Sequence, residues 1–80
     1  MNAKEAVARR IQILCSKNDI AINTLANQSG MSPSTIYSML GKKSKNPGVV
    51  SIQKICDGLN ISIREFFNDP LFDNLDQVIR

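Results

Sequence analysis

"LANQSGMSPSTIYSMLGKKSKNP", Leu25 to Pro47, changes character abruptly. From Ser29 to Gly41 no side chain is charged, and three lysines then fall within four residues, at Lys42, Lys43 and Lys45. Two local signals divide the stretch. Ser29-Gly30 ends one helix, because glycine readily takes the left-handed conformation that a tight turn requires. Ser32-Pro33 starts the next: a serine hydroxyl caps free N–H groups, and proline at the first helical position forfeits no hydrogen bond. The spacing predicts a short helix from about Asn23 to Gln28, with Leu25 and Ala26 inward, and another from Pro33 to about Leu40. In the second, Ile36, Met39 and Leu40 point inward while Ser34, Thr35, Tyr37 and Ser38 face solvent or a partner. Gly41 closes it, and "KKSKNPG" reads as a basic loop that Pro47 and Gly48 keep from becoming helical.

Working outward, Ala3, Val7, Ile11, Leu14 and Cys15 form one stripe of an amphipathic helix from Ala3 to about Lys17. Beyond the loop, Val49, Ile52, Ile55, Cys56 and Leu59 predict a helix from about Val49 to Gly58. Ser62 with Glu65 reads as a capping box opening a fifth helix, "IREFF". Asp69-Pro70 is a last cap signal, after which Leu71, Phe72, Leu75, Val78 and Ile79 make a final stripe and a possible sixth helix. No segment shows sustained strand alternation. The expected fold is all-α, five helices with a short C-terminal helical extension.

Eighty residues make one small domain, and 42% hydrophobic with 21% charged residues is ordinary globular usage. The N-terminal "MNAKEAVARRIQIL" has no uninterrupted apolar run, so no leader and no membrane span is expected. Cys15 and Cys56 fall in apolar helical patterns and read as buried thiols. With no His and no CxxC, no metal, cofactor or disulfide is expected, and the compartment expected is the cytoplasm. Charge is segregated: residues 1–54 carry eight Lys/Arg against two Asp/Glu, and residues 55–80 carry two against five. The basic part suits a polyanion and the acidic tail does not. Arg9 and Arg10 are read as solvated.

Two short helices joined by a glycine-containing turn make a helix-turn-helix unit, whose second helix fits the major groove of duplex DNA, about 12 Å wide. An uncharged N-terminus presents the positive end of the helix dipole and short polar side chains, while basic residues just after the helix hold the backbone. The chain resembles the helix-turn-helix domains of phage Cro and repressor type, also called the xenobiotic-response-element type. The residues that carry the resemblance are the stretch from Leu25 to Pro47 and "VVSIQKICDGLNISIREFF" after it, which with helix one cover 4–67.

The resemblance implies a lambda-repressor-like DNA-binding domain over 1–67, its helix-turn-helix at 23–40, followed by an amphipathic tail, 68–80. It implies base-facing positions at Pro33, Ser34, Tyr37 and Ser38. Phosphate contacts are implied at Ser32, Thr35, Lys42, Lys43, Ser44, Lys45 and Asn46. Two departures stand out. Ile22 occupies the start of helix two, where relatives usually carry a Gln that touches DNA. Cys15 and Leu40 stand where relatives often pair an Arg with a Glu. Losing one partner of a buried pair strands a charge, whereas replacing both with apolar groups can be neutral. Cys15 and Leu40 are therefore expected to pack near each other.

The tail is too short to be a stable lone helix in water, so its stripe, Leu71, Phe72, Leu75, Val78 and Ile79, is expected either to fold back or to pair with a second copy. A single domain with about three to five phosphate contacts binds weakly, which favours a homodimer on neighbouring half-sites. The expected function is a sequence-specific regulator of transcription, a repressor acting by operator occupancy, with double-stranded DNA as partner and no membrane or small-molecule effector. A protein-interaction module, such as an antitoxin reusing the fold, is the competing class. No catalytic constellation is present in the sequence, and an enzyme is not expected.

Overall fold

The computed structural model describes residues 1–41 and 46–79. Five α-helices follow in order: α1 (Ala3–Lys17), α2 (Ile22–Gln28), α3 (Pro33–Leu40), α4 (Val49–Leu59) and α5 (Ile63–Phe67). A single 3-10 turn, Pro70–Phe72, comes last, and there is no strand among the described residues. None of these helices is long and apolar enough to cross a membrane.

Helix ends are set by local chemistry. Asn2 opens α1 with a full capping box: its Oδ1 accepts from the Glu5 N–H at 2.8 Å, and Glu5 Oε1 accepts from the Asn2 N–H at 3.0 Å. Ser62 caps α5 by accepting from the Glu65 N–H at 3.0 Å. Gly30 takes φ 64° in the turn after α2, the left-handed conformation that this turn demands. Gly41 ends α3 in an extended conformation, φ −80° and ψ 149°, so it closes the helix without left-handed geometry.

The core is one cluster built from every helix: Val7, Ile11, Leu14 and Cys15 from α1, Leu25 and Ala26 from α2, Ile36 and Met39 from α3, Ile52, Ile55 and Cys56 from α4, and Phe66 from α5. Ile22 and Leu40 are half-buried against it. Cys15 and Leu40 thus border the same apolar interior. Burial pushes both thiols up from their ordinary pKa, with the Asp57 charge adding to the effect at Cys56, so both stay protonated at neutral pH. Leu40→Glu alone is expected to destabilise the domain by about 1–3 kcal/mol, because it sets a carboxylate against the apolar interior that Leu40 now covers. Thermal unfolding checks this, and a midpoint equal to the parent's contradicts it.

Four expectations need correction. α4 runs one residue past Gly58 to Leu59 and ends at Asn60, which takes the left-handed cap at φ 58°. Gly58 instead lets α4 approach α2: a Cβ there would overlap Ser29 Oγ and lie 3.0 Å from the Ser29 nitrogen and 3.1 Å from the Gln28 carbonyl carbon. Gly58→Ala is therefore expected to lower stability by about 1–3 kcal/mol despite alanine's better helix propensity, since backbone has to move. A raised melting temperature would refute this packing. Val49, the first member of the α4 stripe, is 66% exposed, and burial begins one turn later at Ile52.

The third correction concerns Arg10. It is not solvated but buried, at 6% exposure. Its guanidinium donates to the carbonyls that end α5, Nε to Phe66 O at 2.6 Å and Nη2 to Glu65 O at 2.9 Å, and Nη1 reaches Asp69 Oδ2 at 3.1 Å. One side chain of α1 thus holds the last turn of α5 and the start of the tail. Asp69 also caps the 3-10 turn, its Oδ1 accepting from the Leu71 N–H at 2.9 Å.

The tail forms this one turn rather than a sixth helix, since a short segment interrupted by Asp73, Asn74 and Asp76 cannot sustain helix nucleation. Phe72 packs edge-on against Phe67 with ring centres 4.9 Å apart. Leu71 and Leu75 are half-buried. Asp76 meets the N-terminal amine of Met1 at 3.3 Å and donates its N–H to the Met1 carbonyl. Val78 and Ile79 then emerge 90% and 84% exposed. The fold-back contacts therefore reach Asp76, and the end of the apolar stripe stays uncovered.

Candidate nucleic-acid interface

The exposed surface of α3 follows from its own sequence. Ile36 and Met39 turn one face into the core, and Ile36 is fully buried. Residues three and four apart share a face of a helix, so Ser34, Tyr37 and Ser38 are left together on the opposite side, with Pro33 above Tyr37. All four are exposed, and Tyr37 keeps 55% of its surface in solvent.

At the N-terminal end three hydroxyls form a linked group. Ser32 Oγ accepts from the Thr35 N–H at 3.3 Å, lies 2.8 Å from Thr35 Oγ1 and 3.1 Å from Ser34 Oγ. These hydroxyls both donate and accept, sit at the positive end of the helix dipole, and carry no formal charge. Such a tip is chemically suited to phosphate oxygens and base edges alike. The turn before it is held by the Met31 N–H donating to Ala26 O at 2.9 Å, which fixes the angle between α2 and α3.

The structure thus brings together Ser32, Pro33, Ser34, Thr35, Tyr37 and Ser38 on one accessible surface. Asn46 is exposed beside the start of α4. Lys42, Lys43, Ser44 and Lys45, assigned to phosphate from the sequence, lie outside the described residues. Leu71, Phe72, Leu75, Val78 and Ile79 belong to the tail that follows α5. No group of three His, Cys, Asp or Glu side chains placed to hold a metal occurs among the described residues.

The sequence reading missed the Asn2…Glu5 box and the burial of Arg10. The first had a legible signal, Asn-x-x-Glu ahead of an apolar run. Arg10 had a weaker one, since position 10 falls inside the stripe defined by Val7, Ile11 and Leu14.

The fold has solved counterparts. Prophage Lp1 protein 11 is similar, with 30% identity, a TM-score of 0.82, and a match covering 94% of this chain and 100% of that one. The restriction-modification controller protein C.Esp1396I is similar in fold, with 23% identity, a TM-score of 0.71, and coverage of 80% and 82%. No curated protein matches the chain. The family model of the Cro/C1-type HTH DNA-binding domain matches residues 10–70, spanning the turn, the hydroxyl-rich helix and the helices that brace it, and the chain belongs to that family of DNA-binding domains.

Proposed function

We propose that the chain is a sequence-specific transcriptional regulator that works in the cytoplasm as a homodimer and represses by occupying an operator. The observation that carries this reading is the split of α3 into an apolar side turned into the core and an exposed, charge-free side bearing Ser34, Tyr37 and Ser38. A helix face that merely meets water is usually furnished with Lys and Glu, and this one has neither. In this reading α3 enters the major groove, Ser32 and Thr35 meet phosphate, and Lys42, Lys43, Ser44, Lys45 and Asn46 run along the backbone.

The base-facing set holds no Arg, Asn or Gln, each of which would add about 1–3 kcal/mol of discrimination through a bidentate pair. Pro33 and Tyr37 instead suit thymine methyl groups, and the serines bond directly or through water. Discrimination per half-site is modest, which favours two copies acting together. Val78 and Ile79, uncovered in the single chain, supply apolar surface for the second copy. Selecting bound duplexes from a random library, with salt and assembly size stated, tests the reading. A palindromic site with half-sites about 34–36 Å apart is expected; a bound pool with no enriched sequence contradicts it.

A further inference from the structure

A groove of about 490 Å³ runs between the first half of α1 and the C-terminal end of α3. Lys4, Ala8, Arg9 and Gln12 form one wall, and Leu40 and Gly41 belong to the other. Lys4, Ala8 and Gln12 recur every four residues, so they share one face of α1, with Arg9 beside them. The small side chain of Ala8 leaves a hollow between the longer ones. Glu5 also borders the groove, but its Oε1 is turned back to the Asn2 N–H in the capping box. Lys4 and Arg9 bring two cationic side chains to the groove and Asn2 and Gln12 two amides, Glu5 is the one carboxylate in its lining, and the Met1 amine at its edge is held by Asp76 at 3.3 Å.

The position of this groove matters as much as its charge. Gly41 is both a wall residue and the end of α3, so the groove flanks the end of the helix whose exposed side is read as entering the major groove. That groove of the duplex is bounded on both sides by phosphates, and protein surfaces flanking an inserted helix meet them. From this placement we infer that Arg9 and Gln12, with Lys4 beside them, form a phosphodiester grip on α1. The inference rests on the DNA-binding reading and adds a binding surface to it. Arg9 supplies the charge, Gln12 a neutral N–H donor, and Ala8 the room for a phosphate group.

The test is a salt titration of binding to a mixed-sequence duplex longer than the footprint. Arg9→Gln weakens binding for all sequences alike and makes the slope of log K against log salt shallower by about 1 per protomer. Gln12→Glu places a second carboxylate in the groove and weakens binding at low salt by about tenfold or more. Both side chains are exposed, so both variants keep the parent's melting temperature. If the parent binds with a steep salt slope and neither variant changes slope or affinity, the α1 grip is overturned while the functional reading stands. If the parent binds no duplex at any salt, the functional reading and this inference fall together.

Discussion

Replacing Arg10 with leucine is expected to cost the domain about 3 kcal/mol and to lower its melting temperature by more than about 10 °C. The change removes three donors at once. Phe66 O loses its donor at the end of α5, Glu65 O is left with only the Asn68 N–H at 3.2 Å, and Asp69 loses its cation in a site where the arginine side chain is only 7% exposed and the aspartate 21%. A chain of this size is stable by roughly 4–12 kcal/mol in total, so the loss is a large fraction of the whole. Arg10→Lys should fall between leucine and the parent, because it keeps the charge and loses the fork that reaches two carbonyls and a carboxylate together. Asp69→Asn should cost less than Arg10→Leu, since an amide oxygen still caps the 3-10 turn. Thermal or urea unfolding checks the series, and an Arg10→Leu variant as stable as the parent would show that α1 does not hold α5 in this way.

Reversing the charge at Lys42, Lys43 and Lys45 together should reduce affinity for duplex DNA by more than about 100-fold at physiological salt. The three-alanine variant, which removes charge without reversing it, should make the salt slope shallower by about 3 per protomer while leaving the order of preferred sequences intact. Phosphate contacts supply affinity and position, whereas base contacts supply preference, so the two readouts should separate. The same variants discriminate the competing function. A module that only holds a protein partner would bind it as before whatever the charge at these three positions. Melting temperatures within error of the parent's would show that the loss is one of binding.

Much of the architecture was legible because the signals are local. Ser32-Pro33 starts α3, Gly30 ends the turn before it, and the apolar stripes of α1 and α4 name most of the core. What the sequence hid is set by partners distant along the chain. Arg10 meets groups 55 to 59 residues away, and no local pattern reports that a buried arginine there has two carbonyls and a carboxylate waiting. Val49 continues a perfect apolar period yet stays exposed, because periodicity tells which side a residue takes and not whether another element covers it. The tail shows the same gap: Leu71, Phe72 and Leu75 find cover, while Val78 and Ile79 at the same spacing find none. Gly58 looked like a helix end and is a point of close approach, visible only once α2 is laid across α4.

For the candidate interface, the sequence named the exposed face of α3 because its polar residues are short and neutral where surface helices are usually charged. It did not name Arg9 and Gln12, whose relevance comes from the groove that α1 makes with the end of α3.

In the proposed function, duplex DNA lies against the hydroxyl-rich face of α3. Amide chemical shifts recorded while the selected duplex is titrated into the labelled protein test it most directly. The largest changes are expected on Ser32, Ser34, Thr35, Tyr37 and Ser38, with Arg9 and Gln12 following and Leu71 to Leu75 nearly still. Shifts confined to the tail, or an α3 whose amides do not respond when the protein is saturated with DNA, would contradict it.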